Sequence, residues 1–200
     1  ILLEFQKSYP ITIINMSRTF GIAPCVLAGF RHAKGDAIIY LDSDLQDPPE
    51  LIIDMYKLIT EQKCELVSAT RYSLGGKRYG GSFLGHSLSR FANYIFKIIT
   101  GSIMTDCTTG IKMFDKKIWT KINPESNIGW SFAFELSIKA QILNYKIGEV
   151  PIISVDRLFG GQSTFLLSSW TKGYLKWFFY GVKNINYFNR KQKKVITIKN

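Results

Sequence analysis

The feature of this sequence that most restricts its fold is an alternation of strand-like and helix-like segments between residues 11 and 72. Apolar runs predict strands, and the stretches between them carry apolar residues at helical spacing. The predicted strands are 11–17, 36–42 and 64–72, and the predicted helices are 19–35 and 48–62. Strands that alternate with helices are typical of a doubly wound α/β sheet. We therefore expect an α/β fold with a mainly parallel sheet flanked by helices.

The remaining segments extend this pattern. We predict helices over 83–99 and 131–146, a turn, short strand and helix over 106–122, and a strand over 147–157. Glycine-bearing loops are expected at 73–82 and 158–165. These segments predict one domain over residues 1–165, followed by a basic segment over 166–200.

Composition excludes several classes of protein. The chain has 200 residues, of which 46% are hydrophobic and 20% charged, so it is a globular chain and not a disordered one. No apolar run reaches the roughly 18 residues that a membrane-spanning helix needs. The three cysteines have the spacing of neither a zinc site nor a disulfide framework, so we expect core residues in a reducing compartment.

Three aspartates lie at or just after the end of the predicted strand 36–42, in the stretch AIIYLDSDLQDPPELI. In doubly wound folds, ligands bind beyond the carboxyl ends of the strands. Asp42 and Asp44 are two residues apart, so in an extended chain their carboxylates point the same way. Two carboxylates suit Mg²⁺ or Mn²⁺, to which Gln46 would add a carbonyl oxygen. We expect the third acid, Asp47, to cap the helix that follows.

These residues belong to a longer pattern. The stretch RTFGIAPCVLAGFRHAKGDAIIYLDSDLQDPPELI resembles the family 2 glycosyltransferases of GT-A fold, and more narrowly the polyprenyl-phosphate glycosyltransferases. Later matches are SATRY, GG, SRFAN, DxTTG, FELSIKA, EVPI and RxxGGxS. Two departures stand out: Thr19 replaces an Asn of the family pattern, and the family's first strand, with P-x-Y-N-E, is missing. We therefore expect a GT-A-type domain that lacks this strand.

The resemblance implies a donor site. Asp42, Asp44 and Gln46 would hold the divalent metal, Mg²⁺ or Mn²⁺, together with the diphosphate of a nucleotide-sugar. A glycine-bearing loop would close over that diphosphate, and its matching residues are Arg157, Gly160, Gly161 and Ser163. We take Asp42, Asp44 and Arg157 as the residues that carry catalysis.

The resemblance also implies an acceptor site. Arg71, Ser89 and Arg90 match positions that face the phosphate of a polyprenyl phosphate in the family, and the planar fork of Arg suits phosphate oxygens. Glu135 matches an acid near the acceptor, although an ion pair with Lys139 one helical turn away explains it nearly as well. A phosphate acceptor is largely ionised at neutral pH and needs no general base.

The last segment is strongly basic. Residues 166–200 contain eight of the chain's Lys and Arg residues and no Asp or Glu, within a net charge of +11. On a helix over 167–188, an aromatic-rich face opposes a lysine arc. The face comprises Leu167, Trp170, Tyr174, Trp177, Phe178, Gly181, Ile185 and Phe188. Such a helix is typical of an anionic membrane interface, and the alternative is a helix that packs on the core.

The leading interpretation is therefore an enzyme that transfers a sugar from a nucleotide-sugar to polyprenyl phosphate, peripherally bound at the cytoplasmic face of a membrane. Within the same fold, a saccharide acceptor would need a carboxylate base, for which Glu135 or Asp106 would have to serve. A nucleic-acid-binding module and an inactive membrane scaffold are further alternatives, although we expect no nucleic acid partner. The sequence leaves open a homo-oligomer.

Overall fold

The structure, a computed structural model, describes residues 1–44, 46–80, 83–156, 167–185 and 195–197. The helices are α1 (Leu2–Ser8), α2 (Ile22–His32), α3 (Leu51–Thr60), α4 (Phe83–Thr100), α5 (Trp119–Ile122), α6 (Ser131–Ile142) and α7 (Leu167–Asn184). The strands are β1 (Ala37–Ile39), β2 (Leu66–Thr70), β3 (Lys77–Tyr79), β4 (Lys112–Asp115), β5 (Ile147–Pro151), β6 (Ile153–Val155) and β7 (Ile196–Thr197). A 3-10 turn, Lys116–Ile118, leads into α5.

Five strands form one sheet in the order β1-β4-β2-β5-β7. Strand β4 is antiparallel to both of its neighbours, whereas β2, β5 and β7 are parallel to one another. Because β4 is antiparallel to both β1 and β2, these two strands run parallel to each other. The sheet is thus mainly parallel, and the α/β fold predicted from the sequence is confirmed.

Helices cover both faces of this sheet, since side chains alternate across each strand. On β2, Leu66 points into a core formed with α2, α4, α6 and α7, whereas Val67 points into a second core with α3. On β4, Phe114 and Met113 divide in the same way. All five residues of β2 are buried, as expected for a strand covered on both sides.

The predicted strand 147–157 divides into two strands that belong to different sheets. Strand β5 lies in the main sheet, and β6 pairs in parallel with β3 in a separate two-stranded sheet. The residue between them, Ile152, donates its N–H to Thr70 O at 3.0 Å and accepts from Lys77 N at 2.9 Å. One buried residue therefore joins the two sheets.

Helix α7 is amphipathic, as predicted, but its aromatic face packs on the protein. Trp177 is 2% exposed and its indole N–H donates to Ser126 Oγ at 2.7 Å. Gly181 lies against Phe96 of α4, where a Cβ would approach the ring to 2.6 Å. The expectation that this face lies in a membrane is wrong for Tyr174, Trp177, Phe178, Gly181 and Ile185, because α4 and α6 already cover it.

Two local predictions are also wrong. Residues 11–17 form no strand, because they are mostly exposed and no described strand offers them a partner. Asp47 does not cap α3, whose N-cap is Glu50 without a side-chain hydrogen bond. The Asp47 carboxylate instead bonds to Ser154 of β6, and burial raises its pKa against the opposing effects of Ser154 and Arg71. Among the described residues, no helix is long and apolar enough to span a lipid bilayer.

Candidate active site

Strand direction brings the predicted site residues to one edge of the sheet. The carboxyl ends of β1, β2 and β5 lie at this edge because these strands are parallel. Strand β4 is antiparallel, so the loop that precedes it, residues 105–109, reaches the same edge. The acidic loop after β1, Arg71 after β2 and Asp106 before β4 therefore share one side of the molecule, where α/β folds bind ligands.

Asp42 and Asp44 belong to the acidic loop, and its backbone is fixed at several points. The phenol of Tyr40 donates a hydrogen bond to Asp42 Oδ1. Burial, together with Asp42, raises the pKa of Tyr40 far above its ordinary value, so the phenol keeps its proton. The N–H of Gln46 donates to Asp44 Oδ1 at 3.2 Å, and the carbonyl of Gln46 accepts from Val155 N at 2.8 Å.

The donor set of this loop fits a hard divalent cation. Asp42 is half-buried and Asp44 exposed, and the two bonds of Gln46 described above use its main chain and not its side-chain amide. Over the part of the chain that the structure describes, no group of three or more His, Cys, Asp and Glu residues forms a metal cage. Mg²⁺ and similar ions are commonly held by one or two carboxylates and complete their coordination with substrate phosphate oxygens.

The guanidinium of Arg71 is held by Asp106 through two hydrogen bonds. Its Nε donates to Asp106 Oδ2 at 2.7 Å and its Nη2 donates to Asp106 Oδ1 at 3.0 Å, with a further bond to Thr108 Oγ1 at 3.2 Å. Burial raises the pKa of Asp106, but the charge and hydrogen bonds of Arg71 outweigh it and hold the pKa below its usual value. The third guanidinium nitrogen, Nη1, takes part in none of these three bonds, so it is the nitrogen that we expect to meet a ligand.

Glu149 of β5 fixes the loop that carries Asp106. It is 1% exposed, and its carboxylate accepts from Thr105 N at 2.8 Å, Thr105 Oγ1 at 2.9 Å and Asp106 N at 3.3 Å. Burial raises the pKa of Glu149, and these three hydrogen bonds oppose the rise. Beneath the same loop, Lys112 is fully buried and donates to Ser68 Oγ at 2.9 Å. Its pKa is lowered by burial to about 8.

Ser89 lies near Arg71, and Thr108 lies between the two side chains. Its hydroxyl accepts from Tyr72 Oη at 2.9 Å and lies 3.5 Å from Thr108 Oγ1, the atom that also accepts from Arg71. Asn93, one turn further along α4, donates to Ser89 O and to Thr108 Oγ1. The next residue to Ser89, Arg90, is exposed on α4.

Glu135 lies in a different network. Its two oxygens accept the N–H groups of Glu125 and Ser126 at 2.7 and 2.8 Å, and Oε1 forms an ion pair with Lys139 at 2.7 Å. The predicted pair with Lys139 is therefore confirmed. This network joins α6 to the loop on which Trp177 packs, so the protein itself occupies both carboxylate oxygens.

The predicted donor loop, with Arg157, Gly160, Gly161 and Ser163, lies outside the described residues. Its approach is described as far as Asp156, which accepts from Arg78 Nη2 at 2.8 Å. Sequence reasoning missed the roles of Tyr40 and Glu149 in the site, and it named Asp106 only as an alternative base. Asp106 and Glu149 lie in the matched stretches DxTTG and EVPI, but the sequence did not reveal their partners, because the folded sheet supplies them.

Comparisons with known proteins show the family of this chain. The sequence profile described as Glycosyl transferase family 2 matches residues 1–122. The dolichol-phosphate mannosyltransferase of Pyrococcus furiosus is 29% identical over 152 residues, which is 74% of this chain and 42% of that protein. An uncharacterized glycosyltransferase of Bacillus subtilis is 36% identical over 124 residues, 59% of this chain and 35% of its own length. The chain thus spans well under half of these relatives.

Among solved structures, the fold resembles glucosyl-3-phosphoglycerate synthase from Mycobacterium tuberculosis, crystallised with Mn²⁺, UDP-glucose and phosphoglyceric acid. The TM-score is 0.60 at 14% identity, over 90% of this chain and 64% of that one. Such low identity supports the fold alone. The profile match covers more than half of the sequence, so this chain belongs to glycosyl transferase family 2.

Proposed function

We propose that this chain carries the catalytic site of a glycosyltransferase that moves a sugar from a nucleotide-sugar to a polyprenyl phosphate, with Mg²⁺ or Mn²⁺ as cofactor. The observation that carries the proposal is the placement of Arg71 and Ser89 at the sheet edge that also bears Asp42 and Asp44. A cation and a hydroxyl suit a phosphate acceptor, and the acid-rich loop suits a metal-bound diphosphate.

The donor half of the site rests on the acidic loop. Asp42, Asp44 and Gln46 would hold the divalent ion, which when bound supplies Lewis-acid stabilisation to the departing nucleoside diphosphate. Tyr40 fixes the Asp42 carboxylate, and Val155 fixes the loop backbone at Gln46. The Mycobacterium tuberculosis neighbour was crystallised with Mn²⁺ and UDP-glucose, which supports a donor of this class.

The choice of a phosphate acceptor rests on the carboxylates of the site. A hydroxyl acceptor needs a general base, and the two candidates were Asp106 and Glu135. Asp106 is bound by Arg71, which holds its pKa below the usual value and makes it a poor base. Glu135 has both oxygens engaged by Glu125, Ser126 and Lys139. An acceptor that is already ionised needs neither residue, and we therefore favour it over a saccharide.

A membrane setting is supported by surfaces that the core leaves exposed. Helices α4 and α7 pack together through Phe96 and Phe178, whose ring centroids are 5.5 Å apart. Their outer sides carry the α4/α7 apolar residues, which are Leu88, Phe91, Tyr94, Ile98, Ile99, Leu175, Phe179 and Val182. Neither helix contains an Asp or Glu, and both carry basic residues. Lys176 of α7 pairs with Glu125 at 3.6 Å, and the other basic residues lie beside the apolar side chains, an arrangement that suits the surface of an anionic bilayer.

Calorimetry with UDP and GDP, with and without Mn²⁺, tests the donor half. We expect metal-dependent binding of one nucleotide by the wild type and none by Asp42→Asn or Asp44→Asn. Transfer of radiolabelled sugar to polyprenyl phosphate then tests the acceptor half, with the unphosphorylated polyprenol as control. Absence of metal-dependent nucleotide binding would contradict the donor site. Efficient transfer to a saccharide, with none to polyprenyl phosphate, would favour the alternative acceptor.

A further inference from the structure

The residue that orients Asp42 is held in place by an aromatic cluster. Tyr40 follows β1 directly, and its N–H donates to Lys112 O at 3.2 Å, which fixes its backbone against β4. Its ring meets Trp130 edge-on, with centroids 5.5 Å apart and planes at 68°. A second edge-on contact, with Phe132, has centroids 5.9 Å apart and planes at 83°. Packing on two sides therefore determines where the phenol oxygen lies.

The aromatic cluster is itself rigidly supported. Trp130 stacks on Phe132 with centroids 5.7 Å apart, and Phe132 is fully buried in the core beneath α6. The edge of the Trp130 ring lies over Gly110, where a Cβ would collide with it. Gly110 lies just before β4, whereas Phe132 belongs to α6. The aromatic cluster therefore connects α6 to the edge of the sheet that bears the candidate site.

The phenol of Tyr40, positioned by these contacts, donates a hydrogen bond to Asp42 Oδ1. A carboxylate without such a donor rotates about its terminal bond and presents its two oxygens in many orientations. Hydrogen bonds from outside the coordination sphere orient metal ligands, and their loss typically weakens metal binding by about 10- to 100-fold.

We propose that Tyr40 is a positioning residue that orients the Asp42 carboxylate for the divalent ion of the donor site. The inference rests on the proposed function, because it requires that Asp42 bind a metal together with the nucleotide. Tyr40 touches neither sugar nor metal in this assignment. It acts through Asp42, and its effect is on the affinity for the ion.

Mn²⁺ titration in the presence of UDP or GDP, followed by the electron paramagnetic resonance signal of free Mn²⁺, tests the inference. For Tyr40→Phe we expect Mn²⁺ to bind about 10-fold more weakly, and nucleotide affinity to recover at saturating Mn²⁺. Tyr145→Phe is the matched control, because the Tyr145 hydroxyl is buried without a hydrogen-bond partner among the described residues. Its Mn²⁺ affinity should equal that of the wild type.

A double-mutant comparison separates positioning from a general loss of structure. Asp42→Asn alone should weaken Mn²⁺ binding strongly, and Tyr40→Phe added to Asp42→Asn should cause no further loss. If Tyr40→Phe binds Mn²⁺ as the wild type does while Asp42→Asn is impaired, the inference is wrong and the donor site stands. If the wild type binds no Mn²⁺ with either nucleotide, the proposed function fails, and the inference fails with it.

Discussion

Arg71 and Asp106 are 35 residues apart in the sequence, yet two hydrogen bonds of 2.7 and 3.0 Å join the guanidinium of one to the carboxylate of the other. The pair forms only because β4 runs antiparallel to β2 and returns the chain to the edge where β2 ends. Asp106 is fully buried, so the ion pair is part of the core as well as of the proposed acceptor site.

The first prediction concerns the stability of this pair. Asp106→Asn keeps the shape of the side chain but leaves the Arg71 guanidinium without its counter-charge. Loss of one partner of a buried ion pair costs about 3–5 kcal/mol, so we expect the free energy of unfolding in urea to fall by about 3 kcal/mol. Asp54→Asn breaks the exposed pair of Asp54 with Lys57 and is the control, with an expected change below about 1 kcal/mol. Equal losses in the two variants would contradict the prediction.

The buried Lys112 gives a prediction for alkaline pH. Its folded pKa, about 8, is lower than its ordinary 10.5, so the unfolded chain binds this proton more tightly than the folded one does. The resulting destabilisation is complete below pH 8 and disappears as the pH rises to 10.5. Across that window we expect the wild type to gain up to about 3 kcal/mol of unfolding free energy relative to Lys112→Met. A difference that stays constant from pH 7.5 to 10.5 would count against it.

Glu135 separates the two possible acceptors. If it were a general base for a hydroxyl acceptor, Glu135→Gln would abolish turnover in a protein that still folds. From its bonds to Glu125, Ser126 and Lys139, we expect a structural effect instead. Thermal unfolding should shift to lower temperature, while the turnover of the folded fraction at low temperature stays within about threefold of the wild type. Complete loss of turnover with unchanged stability would instead support a saccharide acceptor with Glu135 as its general base.

Packing of α7 on α4 can be tested at a glycine. Gly181→Ala would place a Cβ 2.6 Å from the Phe96 ring and 3.4 Å from Ile138, and overpacking of this kind costs about 1–3 kcal/mol. Gly29→Ala in α2 is the matched control, because a Cβ there meets nothing within 4 Å and alanine favours a helix by up to about 1 kcal/mol. Urea unfolding should therefore move in opposite directions in the two variants. A stability of Gly181→Ala at or above that of the wild type would show that α7 packs differently.

The α4/α7 apolar residues predict membrane binding. Phe91 is 61% exposed and Phe179 is 64% exposed, so Phe91→Ser and Phe179→Ser should leave stability nearly unchanged. We expect each to weaken co-sedimentation with vesicles that contain anionic lipid by about threefold to tenfold, because an apolar anchor is lost. Ile53→Ser on α3, at a site 61% exposed, is the control and should bind vesicles as the wild type does. If all three variants bind vesicles as strongly as the wild type does, these helices are not the membrane-binding surface.

The sequence predicted those parts of the fold that depend on local pattern. Helices α2, α3, α4 and α6 and strand β2 follow from apolar spacing, which neighbouring residues determine. The predicted strand 11–17 has an equally good pattern but fails, since a strand also requires a partner in space. Likewise, the aromatic face of α7 was recognised, but its partner was not, because a core and a membrane interface select similar side chains.

The candidate site shows the same division. Asp42, Asp44, Arg71 and Ser89 were predicted as site residues from motifs in the sequence, and the structure places them at one edge of the sheet. The hydrogen bonds from Arg71 to Asp106 and from Tyr40 to Asp42 were not predicted. Strand order determines the first contact and aromatic packing the second. The Asp47 prediction failed for a related reason: its carboxylate bonds to Ser154, more than 100 residues away.

The position of β4 determines when the site can be assembled as the protein is made. This strand inserts between β1 and β2, both of which precede it in the sequence. During synthesis, β1 and β2 emerge from the ribosome first, but they are not neighbours and cannot pair in the native way until residue 115 has followed. A nascent chain shorter than this contains the acidic loop and Arg71 but lacks the complete strand that lies between β1 and β2, so we expect the candidate site to be completed only after β4 has emerged.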